Sequence, residues 1–386
     1  MIGTVKPYRI LILGAGFSRA AGLPLGAHLF RLILERSRAQ DGSDSHIERD
    51  LSEFIAYKLR CDAVDLTMDD VDLEEFVAFL DIQHALRLEG SDTMTVEGNR
   101  SQLAIRSHIG AILQERTPSR TEGSIPDVYC KFASRLEPGD TVITFNYDIL
   151  LERALEQVGK AYRLFPKRYK RVHPDCVVDS ERDEVRVLKL HGSLDWFYRK
   201  EFDLTRDLIR KMGGDTDPSS AIFGDSPRHR TRILVEGPRP EADELSRIYR
   251  LQDPDAFYAD ASTLEAPYIL SPASTKPLYA TPLLDLWSGL GQAGALSLGL
   301  TVIGFSMPQH DEYLRQLIYC IARNFQHCEP NLVRGGRTKS KMALIDCRTT
   351  AAEVEKLKTR YSFLDWARTN VYSNGLDETA LDIIFG

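Results

Sequence analysis

Apolar residues in this chain fall into two kinds of run, and their alternation predicts an α/β protein. Unbroken branched runs read as buried strands at Tyr8 to Leu13, Asp140 to Thr144, Glu184 to Leu190, Leu298 to Ile303 and Lys341 to Asp346. Segments with helical spacing follow several of them: Leu29, Phe30, Ile33 and Leu34, then Leu150, Leu151, Ala154, Leu155 and Val158, then Asp311 to Arg323. Repeated strand, polar loop and helix predict a Rossmann-like open parallel sheet, whose ligands sit beyond the carboxyl ends of the strands.

Between the first two strands the period is helical throughout. Ile47 to Leu59, the set Leu73, Phe76, Val77, Leu80 and His84, and Leu103 to Leu113 predict a mainly helical subdomain over 40–120, inserted after the first sheet unit. Arg36 to Ser45 and Ser91 to Arg100 are polar and read as loops. Residues 200–260 carry charge clusters, Gly213-Gly214 and Gly237 to Pro240, and read as a variable insertion of helix and loop, in part disordered. Tyr268 to Leu270 reads as a short strand before a loop with Pro272 and Pro277. The expected organisation is a Rossmann-like domain over 1–39 and 121–350, the two insertions, and a C-terminal extension over 351–386.

Composition narrows the class only a little. Of 386 residues, 43% are hydrophobic and 27% charged, an ordinary soluble mixture. With 49 basic and 56 acidic residues the net charge is -7, which argues against a general nucleic-acid-coating surface. A local basic groove, such as one at Arg168 to Arg171, stays open beside the alternative of a solvated basic face. No apolar run approaches the roughly 20 residues of a spanning helix, and glycines and charge interrupt a signal-peptide pattern, so a cytoplasmic protein is expected. The six cysteines, Cys61, Cys130, Cys176, Cys320, Cys328 and Cys347, include no C-x-x-C pair. Buried free thiols and no metal site are expected.

Four polar segments at inferred strand ends carry the candidate chemistry. Gly14, Ala15, Gly16 and Ser18 form a turn whose backbone N–H groups suit a diphosphate, and the helix N-terminus beyond adds favourable electrostatics; a plain tight turn is the alternative. No P-loop motif is present, which disfavours ATP. In T-F-N-Y-D, the Asn146 amide can both donate and accept, to a ribose oxygen or to water, and Asp148 can accept from a carboxamide; an Asx turn or helix cap is the alternative. His191 precedes Gly192, and a neutral imidazole there can take a proton from water or a ribose hydroxyl; a satisfied structural histidine is the alternative. Asp195 pairs or caps locally, Trp196 packs, and Asp311 beside His310 starts a helix. No G-x-S-x-G elbow surrounds Ser18, Ser193 or Ser306, and no Tyr-x-x-x-Lys site stands out.

Taken together, GAGFSRAAGLP at 14–24, TFNYD at 144–148, LHGSLDW at 190–196 and VIGFSMP at 302–308 resemble the sirtuin-like superfamily, most of all the bacterial sirtuin-like NAD hydrolases of antiphage defence. The resemblance implies that Gly14, Ala15, Gly16 and Ser18 surround the diphosphate of NAD+, that Asn146 and His191 are catalytic, and that Asp148 recognises nicotinamide. It places Gly304, Phe305 and Ser306 near phosphate and ribose, and Asp346 near the adenosine ribose. The implied activity is NAD+ glycohydrolase, an NAD-depleting effector of abortive infection; deacylation, ADP-ribosyl transfer and non-enzymatic NAD sensing are the alternatives. Phe145 stands where the deacylases usually carry glutamine, and their paired zinc cysteines are missing. The implied partners are NAD+, further copies of the chain and a hexameric AAA-type DNA-translocating ATPase, with direct nucleic-acid binding left open.

Overall fold

The branched runs form the strands that hydrophobicity alone demands, and two further strands join them. In chain order these are Arg9–Leu13 (β1), Thr141–Thr144 (β2), Tyr162–Arg163 (β3), Val185–Lys189 (β4), Gly299–Ile303 (β5), Met342–Ile345 (β6) and Thr369–Tyr372 (β7). A computed structural model describes residues 7–42, 45–88, 95–120, 123–260, 262–263, 265–270, 279–308 and 311–386, without the side chains of Ala27 and Asp41. Ser91 to Met94, Pro272, Pro277 and His310 lie outside the described residues. The chain divides into two compact units, Met1–Leu23 with Thr117–Leu190 and Leu284–Gly386, and Pro24–Arg116 with His191–Leu283.

The first unit is built on one sheet of order β7-β6-β5-β1-β2-β4-β3, with every pair parallel. All of β2, β5 and β6, and all of β1 but Arg9, are buried, as strands covered on both faces must be. β2 and β5 flank β1, so the chain builds outward on one side of β1 and later crosses to the other. The loops after β1, β2 and β5 therefore meet at the topological switch point. β7 lies in the 351–386 extension and adds an edge strand that its half-polar sequence did not disclose.

The turn after β1 departs from expectation. Ala15–Ala21 is a 3₁₀ helix, ended by Gly22 at φ 84°, and not the start of a helix reaching Leu34. A separate α-helix, Gly26–Asp41, begins after Leu25 and belongs to the second unit. A dipole of one long helix is thus not available to a diphosphate at Gly14 to Ser18. Gly26–Asp41 also overruns the loop read at Arg36 to Ser45, because Arg36, Arg38, Ala39 and Gln40 are good helix formers and Ser37 is buried; Gly42, at φ 78°, stops it.

In the second unit, Arg100–Arg116 packs against Gly26–Asp41, His46–Asp62 and Leu73–Leu86. Ser45 and Asp72 cap two of these helices through their side-chain oxygens. Residues 200–260 are more regular than their sequence suggested. They supply the helix Lys200–Lys211 and the strands Thr231–Ile233 and Ile248–Leu251, which join Trp196–Tyr198 in an antiparallel sheet. Phe197, Phe202, Ile222, Phe223, Leu251 and Phe257 form its core. These apolar residues are too far apart in the chain to show a period. Tyr268 to Leu270 makes only an isolated bridge, Gly192 to Ile269.

Among the described residues, no helix is long and apolar enough to cross a membrane and no group of His, Cys, Asp or Glu could hold a metal ion. The cysteines are free, yet the expectation of burial fails. Cys61, Cys176 and Cys328 are exposed and the other three half-buried, since they fall on helix surfaces, a hairpin and loop positions.

Candidate functional site

The glycines after β1 and β5 exist because two loops touch backbone to backbone. Gly14 and Gly16 donate to the carbonyls of Ile303 and Gly304 at 3.0 and 2.9 Å, and Phe17 donates back to Gly14 at 2.9 Å. A Cβ on Gly14 would lie 2.6 Å from the Gly304 oxygen, and one on Gly304, at φ 61°, 2.3 Å from the Gly16 carbonyl carbon. Gly304→Ala is therefore expected to destabilise the fold by about 1–3 kcal/mol, read as a lower urea midpoint with unchanged slope. Ala15 is exposed and Gly16 half-buried at the rim of this contact.

Beneath that rim three predicted residues come together. The buried Ser18 hydroxyl donates to Asp148 Oδ2 at 2.8 Å and accepts from Asn146 Nδ2 at 3.2 Å. Leu150 N–H donates to Asp148 Oδ1 at 3.1 Å, an Asx turn that leads into the helix Leu150–Gln157, whose N-cap position is Ile149. Thr144 Oγ1 accepts the Asn146 N–H at 3.1 Å. The Asx-turn alternative thus holds in part: Asp148 closes an Asx turn and is a member of a buried polar triad.

Phe305 packs its ring on Phe145, centroids 4.8 Å apart, so its side chain belongs to the core. Phe145 fills apolar space where a glutamine amide would need partners. Ser306 is half-buried, and its carbonyl accepts from Arg360 at 2.9 Å. Asp346 follows β6, next to Ile345, whose carbonyl takes the Gly304 N–H at 2.8 Å. Its carboxylate is engaged locally by Cys347 N–H at 2.7 Å and Arg348 at 3.2 Å.

His191 belongs to the second unit and is buried, with its carbonyl accepting Leu270 N–H at 2.8 Å. Gly192 sits at φ 79°, where a Cβ would meet the Tyr268 carbonyl oxygen at 2.0 Å. Asp195 accepts from Ser193 Oγ at 2.6 Å and pairs with Arg250 at 2.6 Å, both partners buried. Arg250→Met strips Asp195 of that counter-charge and is expected to lower stability by about 3 kcal/mol, checked by denaturant unfolding.

Side-chain donors that the sequence did not disclose tie each motif down, all of them buried but Tyr258, which is half-buried. Tyr129 donates to the Phe17 carbonyl at 2.7 Å, Tyr258 to Leu194 at 2.6 Å, and Tyr361 to Phe305 at 2.8 Å. Burial raises the pKa of all three phenols, helped by the negative charge of Asp148, Asp195 and Asp346 respectively, so they remain hydroxyl donors. For T-F-N-Y-D the donor is Lys189, whose Nζ bonds the Asp148 carbonyl and pairs with Glu152 at 2.8 Å. A lysine inside the apolar run V-R-V-L-K-L was the available signal.

An open parallel sheet with polar loops gathered at its switch point defines a Rossmann-like domain. Residues 140–237, which include Asn146, Asp148, Lys189 and His191, match the SIR2-like domain family and support a sirtuin-like assignment for that stretch. Among solved structures the chain is similar to a sirtuin studied for substrate affinity, at 13% identity and TM-score 0.31, covering 97% of this chain and 91% of that one. It is also similar to Sir2Tm bound to a propionylated peptide, at 13% identity and TM-score 0.33, covering 97% and 90%. No curated protein matches the chain.

Proposed function

We propose that this protein cleaves the bond between nicotinamide and ribose in NAD+, with water as acceptor. The observation that carries the reading is the buried triad of Ser18, Asn146 and Asp148, assembled from two separate motifs at the switch point of the sheet. A serine hydroxyl that donates to the carboxylate and accepts from the amide fixes the direction of both side chains. Asp148 then accepts the carboxamide hydrogens of nicotinamide, and Asn146 holds the ribose or the incoming water. The turn at Gly14, Ala15, Gly16 and Ser18, with Gly304, Phe305 and Ser306, lies beside the diphosphate and ribose; its glycines serve there by close packing, since the Gly14, Gly16 and Gly304 N–H groups already donate to main-chain carbonyls, and Asp346 faces the adenosine ribose.

The electron pair of the C1′–N bond leaves with nicotinamide, which departs neutral and needs no proton. Catalysis can therefore concentrate on the cationic ribose and on the position of water. Water bonds to C1′ and its proton passes to His191 and on to solvent. Phe145 supports water as acceptor, since its ring lies in the core and offers no polar group to an acyl peptide. Incubation of purified protein with NAD+ followed by separation of products tests the reading. Nicotinamide with ADP-ribose is the expected result; acyl-ADP-ribose or a modified protein would indicate group transfer, and tight binding without turnover a sensor.

An enzyme that depletes NAD+ needs restraint, so the proposal extends to an antiphage effector that works as a homo-oligomer with an ATPase partner. Sizing the protein alone and with a candidate AAA-type ATPase tests that extension.

A further inference from the structure

Three of the four motif segments are held by neutral tyrosine hydroxyls, and the fourth by a charge. Lys189 is among the most completely buried side chains in the protein, 1% exposed, and its partner Glu152 is 2% exposed. Its ammonium bonds the main-chain carbonyl of Asp148, while Glu152 Oε1 stands 2.8 Å away as counter-charge. Burying both charges costs several kcal/mol per ion before their attraction returns it, so such a pair is poor evidence for stability. A phenol would anchor a carbonyl at lower cost, as it does at Phe17, Leu194 and Phe305. What the pair adds is reach and direction. β4 runs parallel to β2 with Lys189 beside Thr144, and the lysine extends from there to the far side of the turn that carries Asn146. Glu152, in the first turn of the following helix, holds the ammonium as its counter-charge.

We infer that the Lys189–Glu152 pair is a positioning device for the Asn146–Asp148 turn, present for the geometry of catalysis and not for folding. The inference rests on the NAD-cleavage reading. The Asp148 carboxylate is held independently by Ser18 and Leu150, so the pair acts on the backbone that aims Asn146. Its loss therefore registers in turnover more than in NAD+ binding.

The test compares the protein with its K189M/E152L variant, an apolar pair of similar volume. The variant is expected to melt no lower, to keep KM for NAD+ within about threefold, and to lose about 100-fold in kcat, the scale of a small misplacement of a reacting group. Equal kcat in variant and parent overturns the inference. Should the variant not fold, E152Q, which keeps the shape and removes the charge, is expected to lower kcat with KM held; unchanged kinetics there overturn it equally. If the parent itself releases no nicotinamide, the NAD-cleavage reading fails separately, and a crystal structure of the folded variant decides the inference. A displaced Asn146 side chain upholds it, and an Asn146 Nδ2 to Ser18 Oγ contact still at 3.2 Å overturns it.

Discussion

Replacing Asn146 by alanine is expected to lower nicotinamide release from NAD+ by about 1,000-fold while the protein stays folded. The amide is buried, and the contact it gives up within the protein is one hydrogen bond to Ser18 at 3.2 Å. Such a bond is worth about 1 kcal/mol net, and Ser18 keeps its stronger contact with Asp148, so the melting temperature moves little. The loss falls on the reaction, because Thr144, Phe145, Tyr147 and Asp148 beside it in the turn carry no amide to replace it. Stopped assays of nicotinamide, paired with a thermal melt, separate the two effects. A 1,000-fold loss with an unfolded variant would not support the proposed role.

His191→Ala is expected to cost a similar factor, about 1,000-fold, through loss of the proton acceptor. Its backbone is fixed independently of the ring: Leu270 donates to the His191 carbonyl, Ser193 donates to Tyr268, and Gly192 occupies a conformation that only glycine takes without strain. Truncating the imidazole therefore leaves the L-H-G-S segment in place. The expected signature is a fall in kcat with NAD+ still bound, which equilibrium binding of NAD+ to the variant measures directly. An unchanged kcat would remove His191 from the mechanism and return it to a structural part in the second unit.

The sheet was legible because buried parallel strands leave unbroken branched runs, and five of the seven strands have one. β3, two residues long, and β7, half polar at the edge, have no such run. The polar loops were legible for the same reason, since each follows a recognisable strand. Contacts between distant segments were not. Nothing local announces that Ser18 bonds Asp148, or that Gly14, Gly16 and Gly304 serve each other's close approach; the glycines pointed to a phosphate, and the structure supplies a steric reason of its own. Tyr129, Tyr258 and Tyr361 look like ordinary core aromatics until their hydroxyls are seen to reach main-chain carbonyls. The aromatic core of 200–260 was hidden by its spacing. Lys189 was missed in the same way, although a charge at the end of an apolar strand was the available signal.

The central claim is that Asn146 and His191 serve the cleavage of NAD+. Its most direct test is nicotinamide release measured side by side for the parent protein, N146A and H191A under conditions in which the parent turns over. Release by the parent, with both variants lowered by about 1,000-fold and still folded, is the expected result. Undiminished release by both variants would contradict it.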